Sequence, residues 1–316
     1  MSFRDYSVTL ATEKPTLPVV HGSYEISPFA PHFHTDDLMY GIYSRRLFPL
    51  KQDCDVEADY KVLRNAAVLY DVPERPHEIR GPDAEAFLNH VLTRRISDMP
   101  AWRGRYALAC NDRGGLLMDG IVFRFSDNHF WYVLASGEFE PWLEAKSSGF
   151  DVELIDPESW VLQVQGPRSL DVMRDAVDGD FPELKFYQGA MCSFAGQSLF
   201  VTRTGYTGEF GFEIYSRPDM DYGALFHHLM AAGAPHGMEF QSLESMNVRR
   251  IEAGIFNNST DLFPSMTPYD AGLGAFVDVD MGEFVGAAAL RDADRRARLY
   301  GLVCDGATPD PGNEVL

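Results

Sequence analysis

Residues 203–215 read RTGYTGEFGFEIY, and the rest of the chain is organised around this stretch. Gly205, Gly208 and Gly211 let the backbone turn sharply and approach another group more closely than a residue with a side chain allows. Phe212, Ile214 and Tyr215 then read as a strand, and alternation sets Glu213 on the face opposite Phe212 and Ile214. The chemical content of the loop is one carboxylate, Glu213, beside one tyrosine, Tyr206. From these residues alone two readings are open: a Gly-rich hairpin with a solvated glutamate, or a loop that closes on a ligand.

Working outward, a second pattern appears twice. HEIRGPDAEAFLNHVL runs strand, Gly81-Pro82, helix, and VLQVQGPRSLDVMRDAV runs strand, Gly166-Pro167, helix. Each copy precedes a β-hairpin: RYALAC with LLMDGIVFRF after the first, QSLFVTR with FGFEIYS after the second. One such unit cannot cover its own apolar face, whereas two facing units can, and a ligand would sit between them. The expected fold class is therefore α+β, two pseudo-repeated strand-helix-hairpin halves around a central cleft. In the first hairpin Asp119 interrupts an apolar strand, sharing its alternation with Leu117, Ile121 and Phe123. An acid there costs stability unless it is hydrogen-bonded, useful or solvated at a strand end.

Composition bounds the function. The 316 residues are 45% hydrophobic and 23% charged, which fits a globular chain of two or three domains. A formal charge of −20 disfavours nucleic acid and anionic membrane as partners, because both need a basic footprint. Cys54, Cys110, Cys192 and Cys304 are widely spaced and form no CxxC, so no zinc site or disulfide scaffold is expected, and the N-terminal residues lack an apolar signal region. These features fit a cytoplasmic protein.

The remaining segments carry weaker signals. Residues 1–50 are rich in Pro, His and Asp and read as an irregular arm with short elements; His32 and His34 there are a polar loop or a metal pair lacking a second ligand cluster. Residues 56–67 have helical periodicity and feed a strand; helices are also expected over 224–232, with His227 and His228 on its surface, and over 242–254. The latter carries Arg249 and Arg250, either an anion clamp or partners of nearby acids. A last helix is expected near residues 287–296, and one strand from Leu299 onward.

Taken together, these motifs resemble a known family. RTGYTGEFGFEIY is similar to the pterin-binding loop RTGYTGEDGFE of the aminomethyltransferases, the glycine-cleavage T-protein and its relatives. IRGPDAEAFL, NDRGGLLMDGIV, LQVQGP, RIEAG and TPYDAGLGAFVDVDMGEFVGAAAL resemble further family motifs in the same order, so the likeness covers about residues 57–292. It implies three domains around tetrahydrofolate, whose N5 takes up the one-carbon unit. It assigns Glu213 to the pterin's amino group and ring N–H as a bidentate pair, Tyr206 and Tyr106 to ring contacts, and Asp119 to catalysis as the second acid of the family's GGIxDD, the first being Met118 here. No metal is implied.

The resemblance also divides the chain: a discontinuous folate-binding domain of residues 1–75 and 152–245, a second α+β domain of 76–151, connecting helices and strands over 246–298, and an incomplete C-terminal β-barrel beginning at 299–316. Two departures bear on the donor. The T-protein's DVSHMG reads DVPERPH here, and the arginine of its GARD helix falls on Met246. Together with DVEADYKVLRNAAVLYDV, HFWYVLASGEFEPWLEAK and DGIVF, they look more like the folate-dependent demethylases, which pass a methyl group from a sulfonium or aryl ether to N5. The expected activity is thus demethylation of a small methylated donor. The alternatives are glycine-cleavage aminomethyl transfer, with a carrier protein as partner, and a folate-binding assembly protein. The last is disfavoured because TGYTGEFG stands where that branch carries KGCYxGQE.

Overall fold

The computed structural model describes residues 24–134, 139–258, 260–301 and 306. Residues 24–51 hold more order than an irregular arm: β1 (Glu25–Ile26), β2 (Met39–Tyr43) and β3 (Arg46–Lys51) form a small sheet in the order β1-β3-β2. The helix Val56–Asn65 follows, its first turn capped by Asp55, whose side chain accepts from the backbone N–H of Glu57 and Ala58.

Two larger open sheets carry the fold. The first contains β4 (Ala67–Val72), β10 (Val161–Gln165), β11 (Gly189–Phe194), β12 (Gln197–Thr202), β13 (Gly211–Tyr215) and β14 (Met238–Phe240), in the order β11-β12-β13-β10-β4-β14. The second contains β5 (Arg75–Arg80), β6 (Arg103–Cys110), β7 (Leu116–Ser126), β8 (His129–Leu134) and β9 (Glu153–Ile155), in the order β6-β7-β8-β5-β9. The architecture is α+β.

Alternation explains how they stack. Leu162, Val164, Phe212 and Ile214 point from the first sheet to the helices Ser169–Ala176 and Tyr222–Gly233, where they bury with Val172, Met173 and Leu229. Ile79, Met118, Val122 and Tyr132 do the same from the second sheet, packing with Phe87, Leu88 and Val91 of the helix Ala84–Val91. The opposite faces meet. Val68, Tyr70, Val161, Phe200 and Tyr215 of one sheet bury with Phe123 and Val133 of the other, and Ile121 and Trp131 pack against them. This seam is an apolar core between the two sheets, and each large side chain buried there contributes roughly 1.5–3 kcal/mol. At one end backbone bonds tie the sheets together, Gly104 N–H to Tyr187 O at 2.6 Å and Gly189 N–H to Trp102 O at 3.0 Å.

The two copies read from sequence share one local structure: β5 and β10 each end in a glycine with positive φ, Gly81 at 132° and Gly166 at 119°, then a proline, then an eight-residue helix. A Cβ at Gly81 would lie 2.3 Å from Asp151 O, and one at Gly166 2.6 Å from Ala66 O. Leu117 departs from the alternation expected of it: Ile121 and Phe123 face the seam, but Leu117 packs against the helix-side core. The register between β6 and β7 shifts at Ala109/Cys110, two residues before Asp119 is reached from the turn, and the bulge re-aims the strand end.

The last helix is shorter than expected, Ala287–Asp292. The strand expected from Leu299, and the barrel it would begin, fall almost wholly outside the described residues, while Leu299 and Tyr300 themselves are in coil.

Candidate functional site

Polar side chains interrupt the seam in two clusters. On the second sheet, Leu108 pairs with Asp119 and Tyr106 with Ile121, so Tyr106 and Asp119 are diagonal neighbours on one face. Tyr106 donates from its hydroxyl to Asp119 Oδ2 at 2.9 Å, and Asn258 donates from Nδ2 to Asp119 Oδ1 at 3.3 Å. Burial raises the Asp119 carboxyl above its ordinary range, against the pull of these two donors, and the nearby Asp261 adds to the rise. Asp119 is therefore a partly buried acid held in place by two side chains, and not a freely solvated strand end. Met118, one residue earlier, faces away into the helix-side core, 4% exposed, which is why an apolar residue is tolerated there. Tyr206 packs against the seam with its hydroxyl fixed to Phe256 O at 2.6 Å, and its phenol is raised by burial, with a contribution from the Asp119 charge.

The second cluster is built by a row across the first sheet. Register places Thr202 opposite Glu213, Glu213 opposite Gln163 and Gln163 opposite Tyr70, all on the seam face. Glu213 is 3% exposed. Its Oε2 accepts from Thr204 at 2.5 Å, from Tyr215 at 2.8 Å and, more distantly, from Thr202 at 3.5 Å, while its Oε1 accepts from Gln163 Nε2 at 2.8 Å. Gln163 Nε2 also reaches Glu74 Oε1 at 3.2 Å. Gln163 Oε1 and Glu74 Oε2 are shielded from solvent and have no hydrogen-bond partner among the described residues. Burial raises Glu213, and burial together with the Glu213 charge raises Glu74 well above the usual carboxylate range.

Thus Tyr106, Asp119 and Tyr206 come together in one place, and Glu213 stands in another. Tyr187 links them: burial and the Glu213 charge raise its phenol, and it acts in turn on Tyr106. Tyr187 has a φ of 61°, a left-handed backbone that costs a bulky residue energy and is held here by bonds to Gly104 and Arg203. The seam offers unsatisfied acceptors at one end and an elevated carboxyl at the other, an arrangement suited to an N–H-rich ring edge and to proton handling beyond it.

Sequence reading missed Glu74, Gln163, Tyr187 and Asn258. Glu74 lies within DVPERPH and Gln163 within LQVQGP, but their convergence depends on sheet register. Of the weaker candidates, Arg249 pairs with Glu209 at 2.8 Å and buried Arg250 pairs with Asp261, so both are ion-paired rather than open to an anion. His32 stacks on Phe226 with ring centroids 5.9 Å apart, and His34 bonds Tyr40 at 3.1 Å; no set of three or more metal-binding side chains occurs among the described residues. Met246 is 2% exposed within the seam core. A surface cavity of about 450 Å³ at Arg113, Gly115, Pro264, Ser265 and Thr267 involves neither cluster. No helix among the described residues is long and apolar enough to cross a membrane.

The chain is thus an α+β protein whose two large sheets face each other and carry acids and tyrosines along that face. The family follows from comparison. The profile of the GCVT N-terminal domain matches residues 39–281, and the chain belongs to this aminomethyltransferase family. It is similar to the aminomethyltransferase of Streptomyces coelicolor, 34% identical over 282 residues, covering 85% of this chain and 75% of that protein. The aminomethyltransferase of Thermoanaerobacter sp. is 31% identical over 273 residues, covering 82% and 73%. Among solved structures, the glycine cleavage system aminomethyltransferase T of Bartonella henselae superposes with a TM-score of 0.75 at 29% identity, covering 85% of this chain and 74% of that one. The chain is accordingly a tetrahydrofolate-dependent one-carbon transferase of the aminomethyltransferase type.

Proposed function

We propose that tetrahydrofolate binds in the seam with its pterin at Glu213 and its ring between Tyr106 and Tyr206, and that Asp119 serves the reacting end. The observation that carries this reading is the Asp119 carboxyl, partly buried, oriented by Tyr106 and Asn258 and raised above its ordinary range. The unpartnered acceptors beside Glu213 fit a ligand edge made of N–H donors. Tetrahydrofolate, when bound, supplies N5 as the acceptor of the one-carbon unit. The protein's part is positioning within an enclosed layer: Tyr106 fixes the orientation of Asp119, Tyr206 is itself anchored to Phe256, and Asp119 holds or moves the proton at the reacting nitrogen.

For the donor, the aminomethyl reading takes precedence, because the relatives that span most of this chain are aminomethyltransferases. A carrier protein presenting the aminomethyl group is then the partner. The demethylase reading keeps a specific observation in its favour: Met246, apolar and buried in the seam, stands where the T-protein has an arginine, and DVPERPH replaces DVSHMG. One experiment separates them. The protein is incubated with tetrahydrofolate and a panel of donors: an aminomethylated carrier, methylated amines, a sulfonium and an aryl methyl ether. Formation of 5,10-methylenetetrahydrofolate from the carrier is the expected result; 5-methyltetrahydrofolate from a methylated donor would replace the aminomethyl reading by the demethylase one. No product from any donor would overturn both.

A further inference from the structure

Glu74 is a polar residue of the seam to which the reading above gives no task. It lies between β4 and β5, where the chain crosses from one sheet to the other, within the sequence DVPERPH. Its backbone is held firmly. Arg46, 1% exposed, donates from Nη1 to Glu74 O at 2.7 Å and to Ser159 O at 2.8 Å, and its guanidinium lies 3.9 Å over the Trp160 ring. Pro73 and Pro76, both buried, restrict the chain on either side. The nearby cations are engaged elsewhere: Arg75 pairs with Glu25 at 2.7 Å and Asp156 at 2.6 Å, and Arg46 also reaches Glu25 at 3.4 Å. The Glu74 carboxylate is thus presented at a fixed place with no arginine or lysine of the described chain neutralising it.

One amide holds the two acids side by side, Gln163 Nε2 donating to Glu213 Oε1 and to Glu74 Oε1. Glu213 Oε2 is already taken up by Thr204 and Tyr215, so Glu213 meets a ligand through Oε1. A shielded carboxylate oxygen and a shielded amide oxygen, both without donors, then remain beside it. Leaving such acceptors unsatisfied is costly, and a ligand that brings donors recovers that cost. We propose that Glu74 is a second recognition residue for the pterin: Glu213 Oε1 accepts one N–H of the aminopyrimidine edge, and Glu74 Oε2, with Gln163 Oε1 beside it, accepts the donors of the 2-amino group that remain. This rests on the reading that seats the pterin against Glu213.

The pairing has a proton consequence. Burial and the facing Glu213 charge push Glu74 up, and burial pushes Glu213 up as well, so the pair keeps its protons to a higher pH than carboxylates in water do. The other titratable side chains around it are Tyr215 and Tyr187, both raised by burial and both acted on by Glu213, while Arg46 and Arg75 are committed as described. N–H donors favour the ionised acids, so ligand binding lowers both and releases protons over the pH range in which the free pair still holds them.

The test is calorimetric titration of tetrahydrofolate, and of a tetrahydropterin lacking the 2-amino group, into wild type, Glu74→Ala, Glu74→Gln and Glu213→Gln, each in two buffers of different ionisation enthalpy. Glu74→Ala is expected to weaken tetrahydrofolate about 10- to 100-fold and Glu74→Gln less, with little effect of either on the deamino ligand. Wild type is expected to release more protons on binding than Glu74→Gln does, the difference growing as the pH falls toward the raised carboxyl range. Equal affinities for tetrahydrofolate across wild type and both Glu74 variants, or equal losses on both ligands, would overturn the proposal, the second pattern marking a purely structural role. Unchanged affinity in Glu213→Gln would instead remove the pterin from Glu213, whatever the Glu74 variants do.

Discussion

In the function proposed above, Asp119 serves the reaction more than the fold. A carboxyl raised by burial, though held by Tyr106 and Asn258, costs stability, so an amide of the same shape relieves that cost while losing the ability to exchange a proton. Asp119→Asn is expected to lower turnover by about 10²- to 10⁴-fold, with a much smaller change in tetrahydrofolate affinity, measured by steady-state kinetics beside direct titration. Turnover near the wild-type value would reduce Asp119 to a buried structural polar group. Glu213 belongs to the opposite case. Glu213→Ala removes the acceptor of four donors as well as the proposed pterin contact, and is expected to weaken tetrahydrofolate by at least about tenfold and to lower the melting temperature, since Thr204, Tyr215 and Gln163 are left without their common partner. At this scale the sequence exposed the acids but not their partners: Asp119 stood out as a charge in an apolar strand, whereas Gln163 and Tyr187 look unremarkable until their neighbours across the seam are known.

The repeated strand, Gly-Pro, helix unit is where sequence and structure agree most closely among the elements, because its constraint is local. Gly81 and Gly166 sit at φ values of 132° and 119°, with backbone oxygens 2.3 Å and 2.6 Å from where a Cβ would be. Gly166→Ala and Gly81→Ala should each destabilise the protein by about 3 kcal/mol or more, combining an unfavourable backbone region with contact against an immovable carbonyl. Gly149 is the control: its φ is 93° but nothing lies within 4 Å of its Cβ position, so Gly149→Ala should cost only about 1–2 kcal/mol. Thermal unfolding of the three variants checks the order, and a Gly149 variant as damaged as the other two would show that the close carbonyls contribute nothing. The misplaced Leu117 marks the limit of element-level reading. A period of two assumes an uninterrupted ladder, and the register shift at Ala109/Cys110 breaks that assumption just where the strand leaves its turn.

For the whole molecule, net charge and buried acids act in the same direction on stability. Burial raises the Asp71 carboxyl to about 7 at 1% exposure, and Asp119, Glu74 and Glu213 are raised as well. In each, the folded state holds its proton to a higher pH than the unfolded chain does. That contribution is fully present below the ordinary carboxylate range, about pH 4, and is lost as the pH rises through the folded value, near 7 for Asp71. The melting temperature is therefore expected to fall between about pH 4 and 7, and Asp71→Asn to flatten the decline, its share being of the order of a few kcal/mol; an equally steep decline in the variant would show that Asp71 titrates normally. What the sequence determined by itself was whatever is written in short spans: the α+β class from the duplicated unit, the positions of Asp119, Tyr106, Tyr206 and Glu213 from their motifs, and the strand faces from alternation. What only the tertiary structure decided was convergence. That Gln163 holds Glu74 to Glu213 and that Asn258 reaches Asp119 depend on sheet register and on two sheets stacking face to face. Those relations join residues up to 139 positions apart, and no local period along the chain encodes them.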